Sequence, residues 1–111
     1  MSYAVKSIKT FEKQAKRLIK KYPSLREELF KLIQSLIINP HQGTSLGANC
    51  FKVRISIHSK GKGKSGGARI ITHIIIDEAT VYLLSIYDKS EQESLSVNEL
   101  KQLMREIISN K

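Results

Sequence analysis

The chain has only two prolines, Pro23 and Pro40, and they cut its first forty residues into two segments whose apolar residues recur at helical spacing. Before Pro23, the residues Phe11, Ala15, Leu18 and Tyr22 lie three or four positions apart and share one face; Lys13, Lys16, Arg17, Lys20 and Lys21 mostly take the remaining surface. A proline lacks the amide proton and drives the residue before it out of the helical region, so Pro23 stops the first helix. Ser24-Leu25-Arg26-Glu27 has the pattern of a capping box. It predicts a second helix with the stripe Leu25, Leu29, Leu32, Ile33, Leu36 and Ile37, which Asn39-Pro40 ends. So short a link between two amphipathic helices predicts an antiparallel hairpin.

After residue 50 the apolar period falls from 3.6 to 2. Phe51, Val53, Ile55 and Ile57 alternate with Lys52, Arg54, Ser56 and His58, which predicts a half-buried strand over about residues 50–58 with a basic outer face. The preceding stretch HQGTSLGAN reads as a loop. A second strand is predicted over 69–76 and, after Asp77-Glu78-Ala79, a third from Thr80 to Tyr87. A short extended piece from Tyr3 to Ser7 opens the chain. A second capping box, Ser96-Val97-Asn98-Glu99, starts a last helix with Leu100, Leu103, Met104 and Ile107 on one side. The order β-α-α-β-β-β-α predicts a single α+β domain over residues 1–111. In it the hairpin and the C-terminal helix pack against a mainly antiparallel sheet, with one sheet face open.

At 111 residues and 41% apolar content, one modest core is expected. No run reaches membrane-spanning length and no leader pattern opens the sequence, so no membrane association is expected. The single cysteine, Cys50, rules out an intramolecular disulfide and suits a reducing cytoplasm. Charge is segregated. Residues 1–21 hold seven Lys/Arg against Glu12, residues 50–76 hold six and no acid, and residues 77–111 hold seven acids against four bases. A surface evolved only for solubility would mix the signs, so the segregation favours an anionic partner.

The segment from Lys52 to Arg69 carries six of those cations without one carboxylate, and RNA or DNA is the commonest polyanion that would need them. Lys52 and Arg54 share a strand face, roughly 7 Å apart by strand geometry. Arg69 opens the partner strand, so the three can converge on one phosphodiester. Tyr87 and Lys89, where the third strand ends, lie at the rim of the same face. Lys60, Lys62 and Lys64 fall on a glycine-rich loop that is either a solvated hairpin loop or a loose clamp for phosphates. Gly63-Lys64-Ser65 does not make a nucleotide-binding loop, because His58 stands where the first glycine is needed and a strand follows instead of a helix. His58 and His73 read as structural strand residues, His41 as a loop residue without a role, and Cys50 as a buried, inert thiol. No ligand pair has a recognised metal spacing, so neither a metal nor a small-molecule cofactor is expected.

Taken in order, the basic helical hairpin, NPHQGTSLGANCFKVRIS, the GGARI strand start and VYLLSIYDKSEQE resemble the RelE/ParE toxin superfamily, particularly its RelE/HigB-like branch. The resemblance covers nearly the whole chain. It implies the toxin of a type II toxin–antitoxin pair: a metal-independent endoribonuclease that cuts mRNA on the ribosome and is neutralised by a cognate antitoxin, often of helix-turn-helix type. By position, Lys52 and Arg54 match two basic strand residues of the family's site. Arg69 matches the arginine opening the next strand, and Lys89 a base after the third. The resemblance implies attack of the 2′-hydroxyl on the adjacent phosphate, with Arg54 and Arg69 stabilising the charge that develops. Lys52 is the candidate general base on the 2′-hydroxyl. The proton donor is Tyr87 or a lysine, because the tyrosine of RelE aligns near Leu95. Lys60, Lys62 and Lys64 with Lys13, Lys16, Arg17 and Lys20 are expected to grip RNA and the ribosome. Two alternatives stay open: a ParE-like inhibitor of DNA gyrase, and a non-catalytic nucleic-acid-binding module.

Overall fold

The computed structural model describes residues 2–60 and 66–109. Eight regular elements follow in chain order: β1 Ala4–Ser7, α1 Lys9–Lys21, α2 Leu25–Ile38, β2 Thr44–Gly47, β3 Cys50–Ile55, β4 Ala68–Ile75, β5 Thr80–Asp88 and α3 Val97–Ser109. They make an α+β fold around one five-stranded sheet, in the order β1-β5-β4-β3-β2. Only β1 runs parallel to its neighbour, β5; the other pairs are antiparallel. Among the described residues, no helix is long and apolar enough to cross a membrane.

Both helix stops fall where expected and for the same reason. Tyr22 (φ −128°, ψ 88°) and Asn39 (φ −128°, ψ 83°) each precede a proline and leave the helical region with nearly identical backbones. Phe11, Ala15 and Leu18 of α1 and Leu25, Leu29, Leu32 and Leu36 of α2 are buried. They cover the sheet face made by Val53, Ile55, Ile70 and Ile86. Beyond Leu83, no strand among the described residues pairs with the outer side of β5. There Gln14 of α1 supplies the missing acceptor: its Oε1 takes hydrogen bonds from the Ile86 N–H and the Ser85 hydroxyl, both at 3.0 Å.

Four features differ from the sequence expectation. The stretch Thr44–Gly47 is a strand, fully exposed at the sheet edge, and it reaches β3 through a turn in which Gly47, Ala48 and Asn49 all have positive φ. An edge strand with no buried face leaves no alternation to read. The first long strand ends at Ile55, and His58 lies in a 3₁₀ turn, His58–Lys60. Its imidazole Nε2 is 3.5 Å from Glu28 Oε1. The capping box at Ser24 does not form, because Ser24 has a helical backbone (φ −66°, ψ −17°) and its hydroxyl is used elsewhere. It accepts from the Ser59 N–H (2.9 Å) and hydroxyl (2.6 Å), which docks the basic turn on the start of α2. Finally, the second sheet face is not open: α3 packs across it, with Leu103 and Ile107 buried.

The capping box at Ser96 does form, with the Ser96 N–H donating to Glu99 Oε1 (3.0 Å) and the Glu99 N–H to the Ser96 hydroxyl (3.1 Å). Gly67, just before β4, sits against the β3 exit so closely that a Cβ there would overlap the Ile55 carbonyl oxygen. Gly67→Ala is therefore expected to lower stability by about 1–3 kcal/mol through overpacking against backbone. Chemical denaturation measures it; an unchanged midpoint would show that the β3–β4 junction yields.

Candidate functional site

The registers of β3, β4 and β5 bring three of the expected residues into one row. Arg54 lies directly opposite Arg69, and Arg69 directly opposite Tyr87. Residues so paired have Cβ atoms about 4.5–5.5 Å apart. Two positions along β3, on the same face, Lys52 opens the next row beside Ile71. A like-charged pair directly across a ladder opposes folding, so an arginine facing an arginine is a cost that a bound anion would relieve. That is the main electrostatic signature of the site.

The members differ in accessibility. Arg54 is exposed, whereas Arg69 is only 3% exposed and its Nη1 donates to the Ala68 carbonyl at 3.1 Å. Burial, with Arg54 alongside, holds the Arg69 guanidinium below its ordinary value, and Tyr87 partly opposes that. Tyr87 is buried, and its hydroxyl donates to the Glu93 carbonyl at 3.4 Å. Burial pushes the Tyr87 phenol up, and Arg69 pulls it back only in part, so it keeps its proton at neutral pH. Between this row and the start of α3 lies a cavity of about 140 Å³ lined by Lys52, Ile71, Tyr87, Leu95 and Leu100, among others. No acid is among its described lining residues. A roomier concavity, about 790 Å³, is elsewhere: an apolar groove on the helical hairpin between Phe11, Ala15 and Ile19, with Lys16, Lys20 and Arg26 on its rim. It touches none of the cationic row, and we give it no part in the chemistry.

The remaining expected residues are scattered. Lys13, Lys16, Arg17 and Lys20 are exposed on α1, and Arg17 is held by Glu91 at 2.8 Å. Lys89 is exposed just after β5, where its N–H donates to the Gly67 carbonyl at 3.0 Å. Lys62 and Lys64 lie outside the described residues. Lys60 departs from the expectation of a loose loop lysine. Its side chain is 10% exposed and its Nζ is 2.7 Å from Asp88 Oδ1, over the Tyr22 ring. The partner, Asp88, is a residue that sequence reasoning passed over. It is completely buried, and it also accepts from the Tyr22 hydroxyl (3.0 Å), the Ser90 N–H (2.9 Å) and the Ser90 hydroxyl (2.8 Å). A signal was present: strand parity puts Asp88 on the face of Ile86, where a carboxylate requires a partner.

A family profile described as the RelE toxin of the RelE/RelB toxin–antitoxin system matches residues 5–109. Solved structures agree at the level of fold. A double mutant of the Escherichia coli RelE toxin in the free state superimposes with a TM-score of 0.63 at 17% identity, covering 99% of this chain and 98% of that one. A RelBE toxin–antitoxin complex from Mycobacterium tuberculosis gives 0.53 at 16% identity, covering 79% and 92%. A toxin from Helicobacter pylori, described as metal-bound, gives 0.51 at 20% identity, covering 83% and 99%.

Burial alone would raise the Asp88 carboxyl, but hydrogen bonds from Lys60, Ser90 and Tyr22 outweigh it and lower it from 3.8 to about 2. A carboxyl lowered on folding contributes stability that is complete above its unfolded value and lost as pH falls through the folded one. The window here runs from about pH 4 down to about 2, and the contribution is about 2 kcal/mol. Asp88→Asn removes it and leaves Lys60 without its carboxylate, costing about 3–5 kcal/mol at neutral pH. Urea denaturation of both proteins should show their stability gap narrowing by about 2 kcal/mol between pH 5 and pH 2. A gap constant over that range contradicts the assignment.

Proposed function

This chain belongs to the RelE toxin family, and from that premise we propose that it cleaves messenger RNA on the ribosome and is held inactive by a cognate antitoxin. The observation that carries the reading is the row Arg54–Arg69–Tyr87 with Lys52 beside it. Stabilising a phosphorane-like transition state needs fixed cations, because charge accumulates on the phosphoryl oxygens. Strands hold those cations more rigidly than a loop can. A gyrase inhibitor has no use for facing arginines.

In this reading the scissile phosphate sits over Arg54 and Arg69, which neutralise its two non-bridging oxygens. Lys52 takes the proton of the 2′-hydroxyl, whose oxygen attacks the phosphorus. The bond to the 5′-oxygen breaks, leaving a 2′,3′-cyclic phosphate. Tyr87 is the preferred donor to the departing 5′-oxygen, since it is the protonated group next to Arg69 in the row. Its hydroxyl must first leave the Glu93 carbonyl, so the turn after β5 shifts when substrate binds. Lys89, exposed beside that turn, grips the flanking backbone. The antitoxin acts by covering the basic row or by displacing α3, in line with the M. tuberculosis relative having been solved as a toxin–antitoxin complex.

Primer extension on messenger RNA after brief expression tests this. Wild type is expected to give codon-periodic cuts. Arg69→Ala and Arg54→Ala should each lose about 10²-fold or more in cleavage, the scale of removing one preorganised charge-stabilising donor. Arg69→Ala is expected to bind antitoxin as before. Intact transcripts together with trapped gyrase–DNA breaks would falsify the ribonuclease reading.

A further inference from the structure

The same sheet face carries a second cluster at its other end, unrelated to the cationic row. Cys50 lies opposite His73 in the β3–β4 ladder, and α3 brings Met104 against Cys50 and into one cavity with His73. Cys50 Sγ is 3.3 Å from His73 Nδ1 and 3.8 Å from Met104 Sδ. We propose that Cys50, His73 and Met104 form a binding site for a soft monovalent cation of the Cu(I) class.

Donor geometry comes first. Atoms that share one first-row metal at about 2.0–2.3 Å, in trigonal or tetrahedral arrangement, stand about 3.5–4 Å apart. The two distances given above are close to that, so small side-chain shifts suffice. Donor chemistry narrows the ion. Thiolate and thioether are soft ligands that favour Cu(I), and imidazole accepts it as well. A hard cation has nothing to bind here, since among the described residues no three His, Cys, Asp or Glu side chains gather.

Charge decides between Cu(I) and Zn(II). Cys50 is fully buried and its thiol donates to the Ala48 carbonyl at 3.7 Å, so the metal must take the place of that proton. Binding exchanges that proton for the metal: the S–H bond breaks, an S–metal bond forms and one proton leaves to solvent. A monovalent ion leaves the site neutral, whereas a divalent ion leaves one uncompensated buried charge. That charge would sit in a strongly basic chain with Arg105 at the cavity rim. Three protein donors also fall short of the four that a structural zinc takes.

The surroundings are those of a ligating histidine. The Asn49 and Ala48 carbonyls hydrogen-bond the His73 ring, and backbone acceptors of this kind orient a ligating imidazole. A cavity of about 320 Å³ lined by His73, Met104, Ile75, Ile107 and Ile108, among others, gives the ion a way in.

The test uses the full-length chain under anaerobic conditions, with Cu(I) supplied from a colorimetric bicinchoninate complex and Ag(I) as its redox-inert surrogate in native mass spectrometry. The expected result is one ion per chain. Cys50→Ser should bind at least 100-fold more weakly, and Met104→Leu and His73→Gln at least tenfold more weakly. Met104→Leu conserves volume and keeps the fold testable if the Cys50 variant is unstable. Three outcomes overturn the proposal: Cys50→Ser binding like wild type, both Met104→Leu and His73→Gln binding like wild type, or equimolar Zn(II) displacing Ag(I).

Discussion

The buried carboxylate of Asp88 is the point on which the arrangement of this molecule depends. It lies at the last residue of β5, wholly removed from solvent, and draws in groups from three places: Tyr22 at the end of α1, Lys60 in the basic turn and Ser90 in the turn beyond the strand. An ionised carboxylate survives in such a place only when several donors replace its water, and here four contacts do so. Between them they set where the basic segment leaves β3, where α1 meets the end of the sheet and how the chain turns towards α3. The cationic row next to it inherits its placement from this anchor.

Much of the fold was legible because it is written in period and punctuation. The helical hairpin follows from two apolar stripes and two prolines, and the pre-proline residues adopt the backbone that ring sterics demand. The core of β3 follows from alternation, and the start of α3 from reciprocal hydrogen bonds between Ser96 and Glu99. What stayed hidden depends on contacts between distant segments. Ser24 has every local mark of a cap, yet Ser59, thirty-five positions away, takes its hydroxyl. Thr44–Gly47 becomes a strand only because β3 presents a free edge. Within the candidate site, the presence of Lys52, Arg54 and Arg69 could be read from strand parity. Their register with Tyr87 could not, nor could the capture of Lys60 by Asp88.

The site and the fold make opposite demands at Arg54 and Arg69. The ladder places them face to face, where repulsion works against pairing, and burial of Arg69 adds to the cost. β3 and β4 stay paired because their other face is mostly apolar, with Val53, Ile55, Ala68 and Ile70 beneath the helical hairpin. A strand pair that is apolar below and cationic above is thus a platform on which charge is held by packing. The same division accounts for the second cluster: away from the cations, this upper face turns to sulfur and imidazole under α3.

The pairing of β1 with β5 sets the order of assembly. β1 leaves the ribosome before the other four strands of this sheet, but its partner residues lie 76 positions later, Ala4 against Thr80. Closing so long a loop contributes nothing until the distant strand arrives. During synthesis the helical hairpin can form early from local contacts. The sheet that carries the cationic row is completed only after β5 has been made, so the row cannot be assembled on a chain that still lacks Tyr87. A protein whose activity depends on that row is therefore unable to act until β5 has been made.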